Sequence, residues 1–183
     1  MRVAKDKIYD AVLGDYNRNE FNTMERMYPK NTMEEYTVSF GDPHEVYPRL
    51  YLGSAYNAAS YETLTKYNIK YIINVTTEIS NYYPSLFTYY NIKIRDNNTD
   101  SISHHLSDSY DVIANYLSMN DGNVFVHCYM GASRSATIVA NYISQKTQTD
   151  IHIVLKNLKE KRSIINPTTK FASELNRSNE ALV

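Results

Sequence analysis

The segment Asn123-Val124-Phe125-Val126-His127-Cys128-Tyr129-Met130-Gly131-Ala132-Ser133-Arg134-Ser135 joins an apolar run to a polar loop, and an apparently helical stretch, residues 136–143, follows it. It contains the only cysteine of the chain. A strand, a tight loop and a helix start together suit an anion, because loop N–H groups can converge on its oxygens near the positive end of the helix dipole. The segment therefore predicts an anion-binding loop at the end of a strand.

The same surroundings make Cys128 a candidate nucleophile. A cysteine at a helix N-terminus beside cationic groups ionises more readily than a free thiol, so we expect Cys128 to react as a thiolate. Arg134 can bind two phosphate oxygens with its planar fork, and Gly131 suits a positive φ or a close backbone approach. We expect Ser135 to donate a hydrogen bond to the sulfur and His127 to orient the loop through its ring nitrogens. The alternative is a buried cysteine that acts as a small hydrophobe.

A thiolate that attacks a phosphoester must expel an alkoxide or phenoxide. Because that leaving oxygen needs a proton, we expect a second catalytic group that supplies it. The candidates are the carboxylates of Asp96 and Asp100, which lie in a polar stretch after a predicted strand. Asp96 follows that strand directly, and we favour it as the general acid. Asp100 fits better as a cap of the following helix.

Composition narrows the class of protein. The 183 residues include 19 basic and 20 acidic side chains, so no surface for nucleic acid or anionic membrane is indicated. One cysteine excludes an intramolecular disulfide and suits a reducing compartment. Residues 1–30 lack the apolar core of a signal peptide, and no run is long enough to span a bilayer. We expect a cytoplasmic protein with access to the nucleus.

Strand and helix patterns alternate along the chain. This alternation predicts a single α/β domain with a central, mostly parallel, twisted sheet that helices flank on both faces. Asp150 is expected to cap one of the helices, and Thr168 to start the last one. The predicted strands are 45–46, 50–52, 70–75, 89–94 and 123–126, and the predicted helices are 57–67, 107–117, 135–146, one from 151 and one from 168.

The N-terminal residues 1–43 form an extension with its own pattern. Apolar residues recur at helical spacing within residues 4–17, namely Ile8, Val12 and Tyr16, and predict an amphipathic helix. A second helix is predicted for residues 21–28, and polar residues continue to Pro43. The first helix could pack on its own domain or contact a second copy in a homodimer. Residues 44–183 would form the catalytic domain.

Several stretches, in this order, resemble the dual-specificity phosphatases of the Cys-x5-Arg protein tyrosine phosphatase superfamily, with the catalytic domains of MAP-kinase phosphatases as the nearest match. The resemblance runs from about His44 to Leu175. The stretches that carry it are Leu50-Tyr51-Leu52-Gly53-Ser54-Ala55-Tyr56-Asn57-Ala58, Tyr71-Ile72-Ile73-Asn74-Val75, Val124-Phe125-Val126-His127-Cys128 and Arg162-Ser163-Ile164-Ile165-Asn166-Pro167.

The resemblance implies a metal-independent hydrolase that needs no cofactor and works through a cysteinyl-phosphate intermediate. Members of the family place the acid some thirty residues before the cysteine and follow it with Asn, which favours Asp96. Catalysis would fall to Cys128, Arg134, Asp96 and Ser135. The substrate phosphate would be bound by Tyr129, Met130, Gly131, Ala132, Ser133 and Arg134.

The resemblance also bears on the substrate. Members that act on phosphoinositides or RNA 5′ ends usually carry further basic residues in or beside the loop, whereas this loop has only Arg134. We find no insertion like the loop that strictly tyrosine-specific members use, so a shallow cleft for phosphotyrosine and phosphoserine/threonine in proteins is expected. The alternatives are an RNA 5′-phosphatase or phosphoinositide phosphatase, and a phosphopeptide-binding module without catalysis.

Overall fold

The computed structural model describes residues 33–180. The helices predicted at 4–17 and 21–28 lie outside these residues, as does the proposed homodimer contact. Strands and helices alternate along most of the described chain. In order they are α1 (Met33–Phe40), β1 (His44–Tyr47), β2 (Leu50–Gly53), α2 (Ala55–Ala59), α3 (Tyr61–Lys66), β3 (Ile69–Asn74), β4 (Thr88–Asn91), α4 (Ser103–Ser118), β5 (Asn123–His127), α5 (Arg134–Thr147), α6 (Ile151–Lys161) and α7 (Thr169–Glu180).

The five strands form one mixed sheet in the order β1-β2-β5-β3-β4. β5 pairs in parallel with β2 and β3, and β3 pairs in parallel with β4, while β1 and β2 are antiparallel. The predicted mostly parallel sheet is therefore confirmed. The continuous apolar run of β5 suits its central place, because a parallel strand is buried on both faces.

Helices cover both faces of the sheet, as predicted. Successive strand residues point to opposite faces, so Val124 and Val126 enter the larger core while Phe125 joins a smaller cluster with Leu64 and Ile72. Residues of α4, α5, α6 and α7 complete the larger core, and α2 and α3 contribute to the smaller one. None of the helices within residues 33–180 has the length and apolar character needed to cross a bilayer.

Some element boundaries differ from the predictions. The single helix predicted at 57–67 is two helices, α2 and α3, because Ser60 takes an extended conformation and its hydroxyl caps α3 by accepting from the Thr63 N–H at 3.1 Å. Asp150 caps α6 as predicted and accepts from the His152 N–H at 2.8 Å. The strand predicted at 89–94 ends at Asn91.

Helix α1 was not predicted, since its stretch showed no clear apolar period. Tyr36 and Phe40 lie one turn apart with their rings stacked at 6.1 Å, and Phe40 meets the ring of Tyr56 edge-on at 4.1 Å. Tyr36 is buried with Tyr129 and Met130 of the anion-binding loop. Packing on the rest of the domain therefore stabilises this short helix, which lies beside the loop.

Candidate active site

The predicted anion-binding loop, residues 128–133, connects β5 to α5. β5 lies between β2 and β3 and runs parallel to both. The loop therefore leaves the carboxyl edge of the sheet at its centre, where open α/β sheets bind ligands. The end of β3 meets the same edge and directs the chain after Asn74 towards the loop.

The backbone of the loop has one consistent orientation, with its carbonyl oxygens turned towards the surrounding protein. The carbonyl C=O of one residue and the N–H of the next point in opposite directions in a planar trans peptide. The amide N–H groups of residues 129–134 therefore face the loop interior. The Cys128 carbonyl accepts from Nδ1 of His127 at 3.2 Å, and the Tyr129 carbonyl accepts from the Ala55 N–H at 2.9 Å. The Met130 carbonyl accepts from the Ser39 hydroxyl at 3.1 Å and from Arg162 at 2.7 Å, and Arg162 also donates to the Gly131 carbonyl at 2.9 Å. The Ala132 carbonyl accepts from the Asn166 N–H at 2.8 Å, and the Ser133 carbonyl accepts from the Thr137 N–H at 2.9 Å.

Gly131 allows the loop to turn this tightly. Its φ is 72°, in the left-handed region that favours glycine. A Cβ at this position would collide with the carbonyl oxygen of Gly53 and lie 2.9 Å from Nη2 of Arg162. Both reasons given for glycine from the sequence, positive φ and close backbone approach, are therefore confirmed.

Cys128 lies at the base of the loop and is 1% exposed. The hydroxyl of Ser135, at the start of α5, donates to its Sγ at 3.1 Å. This is the contact expected from the sequence. A hydroxyl donor to sulfur stabilises a thiolate more than a thiol, because hydrogen bonds to an ionised acceptor are the stronger ones.

Arg134 is also 1% exposed, and Glu78 sets the orientation of its guanidinium. Nη1 donates to Oε2 of Glu78 at 3.0 Å and to the carbonyl oxygen of Ile94 at 3.2 Å. Nη2 lies 2.7 Å from Oε1 of Glu78, a distance that satisfies an ion pair although the angle is too poor for a hydrogen bond. Within residues 33–180, the buried Nη2 and Nε have no hydrogen-bond partner. This edge of the fork needs acceptors, which two oxygens of one phosphate would supply.

Glu78 was missed by the sequence analysis. It lies in the loop after β3, which the side chain of Asn74 organises by donating to the carbonyl of Ile79 at 2.8 Å and to the side chain of Asn81 at 3.0 Å. Burial raises the pKa of Glu78, but the hydrogen bond and charge of Arg134 outweigh it and lower the pKa overall. A carboxylate a few residues after a strand next to β5 was the available signal.

The two candidate acids occupy different positions. Oδ1 of Asp96 accepts from the Ser133 hydroxyl at 2.8 Å, and Oδ2 lies 3.6 Å from Nε of Arg134. Asp100 pairs with Arg95 instead, at 3.0 Å, and this contact lowers the pKa of Asp100. The structure therefore brings Asp96 to the loop and holds Asp100 away from it. The helix-capping role expected for Asp100 is wrong, because Glu174 supplies the carboxylate at the start of α4.

The His127 side chain contacts the backbone at the start of the loop. Its ring stacks on Phe125, with centroids 5.6 Å apart, and Nδ1 must carry a proton to donate to the Cys128 carbonyl. Burial lowers the pKa of His127 to about 4, so the ring is neutral at neutral pH. A neutral ring fixed by stacking and by one backbone hydrogen bond suits the orienting role expected from the sequence.

Comparisons with known proteins agree with this geometry. The family model described as dual specificity phosphatase, catalytic domain, matches residues 50–181, a range that contains Glu78, Asp96, Cys128 and Arg134. A Slingshot homolog protein phosphatase of Xenopus laevis is 37% identical over 134 residues, which are 73% of this chain and 19% of that protein. Human dual specificity protein phosphatase 1 is 36% identical over 135 residues, 74% of this chain and 36% of that protein.

Among solved structures, the human tyrosine phosphatase-like serine/threonine/tyrosine-interacting protein matches with a TM-score of 0.72 and 29% identity, over 77% of this chain and 97% of that one. The chain spans a minor part of the length of the Slingshot relatives. The sequence match and the fold lead to the same assignment. This chain belongs to the dual specificity phosphatase family.

Proposed function

We propose that this domain hydrolyses phosphotyrosine and phosphoserine/threonine in proteins through a phosphorylated cysteine. One observation carries the proposal: Sγ of Cys128, 3.1 Å from the Ser135 hydroxyl, lies at the base of a loop whose carbonyls all bond outwards. The inward N–H groups and the edge of Arg134 formed by Nε and Nη2 can hold the three equatorial oxygens of a phosphoryl group. Catalysis then consists mainly of positioning and electrostatic stabilisation.

In the first step the thiolate of Cys128 attacks phosphorus in line with the leaving oxygen. The S–P bond forms as the bond from phosphorus to the substrate oxygen breaks, and Asp96 gives its proton to that oxygen. The contact of Asp96 with Ser133 supports this assignment, because it holds the carboxyl group beside the loop.

In the second step a water molecule attacks the cysteinyl-phosphate. Asp96, now a carboxylate, takes a proton from the water as the new P–O bond forms and the S–P bond breaks. The electron pair returns to Sγ of Cys128, where the Ser135 hydroxyl stabilises the thiolate. Inorganic phosphate leaves, and the proton on Asp96 restores the starting state.

Phosphoprotein substrates suit the loop better than lipids or RNA. Arg134 is the only cationic side chain among residues 128–135. Tyr129 and Met130 are buried in an apolar cluster with Tyr36 and Tyr56, so these loop side chains add no charge to the cleft. Substrates with several phosphates would gain little from such a site.

Location and assembly extend the proposal. The balance of 19 basic and 20 acidic residues supports phosphoprotein partners rather than nucleic acid or membranes. A nucleophilic cysteine must stay reduced, which supports a cytoplasmic location with access to the nucleus. We also propose a homodimer contact through residues 4–17, which the apolar face of Ile8, Val12 and Tyr16 supports. Imaging of a fluorescent fusion tests the location.

The function is tested with a panel of phosphotyrosine, phosphothreonine and phosphoserine peptides, an inositol phospholipid and triphosphorylated RNA, with Cys128→Ser as the control. We expect turnover of the peptides by the wild type and none by the variant. Preferential turnover of lipid or RNA would replace the proposal by the corresponding phosphatase. Tight peptide binding without turnover by the wild type would indicate a binding module, a class that the name of one structural relative, the human tyrosine phosphatase-like serine/threonine/tyrosine-interacting protein, also suggests.

A further inference from the structure

The carbonyl oxygen of Met130 is held from two directions. The Ser39 hydroxyl on α1 donates to it at 3.1 Å, and Nη2 of Arg162, just after α6, donates at 2.7 Å. Nε of the same guanidinium donates to the Gly131 carbonyl at 2.9 Å. Because each peptide unit is planar, these bonds fix where the N–H groups of Gly131 and Ala132 point.

Arg162 also ties the loop to the N-terminal side of the domain. Its Nη1 donates to the Val38 carbonyl of α1 at 3.2 Å and lies 3.2 Å from Nδ1 of His44. The guanidinium is fully buried, and burial lowers the pKa of Arg162 to about 10, which still leaves it charged at neutral pH. A buried cation persists only where hydrogen bonds compensate for lost hydration, so these contacts constitute a specific arrangement.

Helix α1 and the residue that follows it make two further hydrogen bonds to the domain. The Ser54 hydroxyl donates to the Ser39 carbonyl at 2.5 Å, and Nδ2 of Asn57 donates to the Gly41 carbonyl at 2.8 Å. The apolar side of the seat consists partly of the loop itself, since Tyr36 packs in one buried cluster with Tyr129 and Met130. Helix and loop therefore form one packed unit.

We propose that α1 is a positioning element of the phosphate-binding loop and acts through Ser39 and Arg162. The inference rests on the proposed phosphatase function. Neither residue would touch a reacting atom; they hold two carbonyls outwards so that the adjacent N–H groups stay aimed at phosphate oxygens. Ser39 lies outside residues 50–181, so part of the loop's support comes from residues beyond the family match.

The test compares Ser39→Ala with a matched control, Ser109→Ala. Ser109 is equally buried, and its hydroxyl also donates to a backbone carbonyl, that of Leu106 at 3.0 Å, within α4. Inhibition by orthovanadate and kcat/KM on an aryl phosphate are measured below both melting temperatures. Ser39→Ala should weaken vanadate inhibition and lower kcat/KM by about fivefold, the factor for one net hydrogen bond. Ser109→Ala should leave both within about twofold.

Two further readouts keep the test decisive. Amide resonances of Gly131 and Ala132 should shift in Ser39→Ala and stay in place in Ser109→Ala. Arg162→Lys, with folding checked by circular dichroism, should weaken vanadate inhibition by more than about tenfold, since one ammonium cannot replace the planar fork. If Arg162→Lys does not fold, Ser39→Ala decides alone.

The outcomes separate this inference from the proposed function. Equal vanadate inhibition in Ser39→Ala and Ser109→Ala, with an active wild type, overturns the positioning role and leaves the phosphatase function intact. A folded Arg162→Lys with unchanged inhibition also overturns it. A wild type that neither turns over phosphoesters nor binds vanadate overturns the proposed function itself.

Discussion

Arg134 divides its hydrogen-bonding capacity between the protein and the proposed phosphate. Nη1 donates to Glu78 and to the Ile94 carbonyl. Nη2 and Nε lie 2.7 Å and 3.6 Å from carboxylate oxygens of Glu78 and Asp96, but within residues 33–180 neither has a hydrogen-bond partner, so this edge can still bind phosphate oxygens. Burial lowers the pKa of Arg134, but its interactions with Cys128, Glu78 and Asp96 raise the pKa overall, so the guanidinium stays charged. The fork is therefore oriented before a substrate binds, which reduces the cost of ordering it in the transition state.

At the same scale, the role of Asp96 predicts a dependence on the leaving group. Asp96→Asn should lower kcat by about 10²–10⁴ on phosphopeptides, because the alkoxide or phenoxide then leaves without a proton. The loss should be much smaller on an activated aryl phosphate. Asp100→Asn is the matched control, since this carboxylate pairs with Arg95 away from the loop. The assignment fails if Asp100→Asn shows the leaving-group dependence and Asp96→Asn does not.

His127 predicts a dependence of stability on pH. Its pKa is about 4 in the folded protein against the usual 6.5, so below pH 6.5 the unfolded chain binds the proton more readily. The contribution of His127 is fully present above pH 6.5 and is lost as pH falls towards 4, by about 3 kcal/mol. His127→Gln should flatten the pH dependence of the free energy of unfolding over this range. The exposed His104→Gln should not, and equal slopes in wild type and His127→Gln would refute the expectation.

Among the elements, the segment between β4 and α4 is the one that presents Asp96. Oδ1 of Asn97 accepts from the N–H groups of Thr99 and Asp100, at 2.9 and 2.7 Å, and closes a turn. Helix α7 holds the far end, because Oε2 of Glu174 accepts from the Ile102 N–H at 2.7 Å and from the Ser103 N–H at 3.1 Å. The start of α4, which directly follows this segment, is thus capped by a residue distant in sequence.

This cap gives a prediction for Glu174, which is 5% exposed. Glu174→Ala should destabilise the fold by about 2 kcal/mol, because it leaves two N–H groups at the start of α4 without their acceptor. The melting temperature should fall by about 4–8 °C. Glu160→Ala, an exposed helical substitution on α6, should stay within about 0.5 kcal/mol. Similar melting temperatures for the two variants would show that the cap contributes little.

For the molecule as a whole, the sequence predicts those structural features that depend on residues close together in the chain. β5, its loop and α5 are contiguous, so residue order alone indicated Cys128, Gly131 and Ser135 and the parallel sheet around them. The residues that contact the loop or Arg134 from distant parts of the sequence were missed. Ser39 is 91 positions from Met130, and Glu78 is 56 positions from Arg134, so no local pattern relates them. Helix α1 escaped prediction for the same reason, because its stability comes from packing on other elements.

The N-terminal extension provides the prediction for assembly. Deleting residues 1–30 should leave turnover of a small aryl phosphate within several-fold, because the segment contains no candidate catalytic residue and α1 is retained. If the apolar face of residues 4–17 contacts a second copy, light scattering should show a dimer becoming a monomer. An unchanged mass with a lower melting temperature would place that face on its own domain and contradict the homodimer.

The central claim is that phosphate passes through Cys128, and trapping the intermediate tests it most directly. Wild-type protein is mixed with a radiolabelled phosphotyrosine peptide, quenched in acid within the first turnover and mapped by mass spectrometry. The account predicts one phosphoryl group on the peptide that contains Cys128, lost on longer incubation and absent from Cys128→Ser, which should also be inactive. Turnover without label on Cys128, or Cys128→Ser active within about tenfold of wild type, would contradict it.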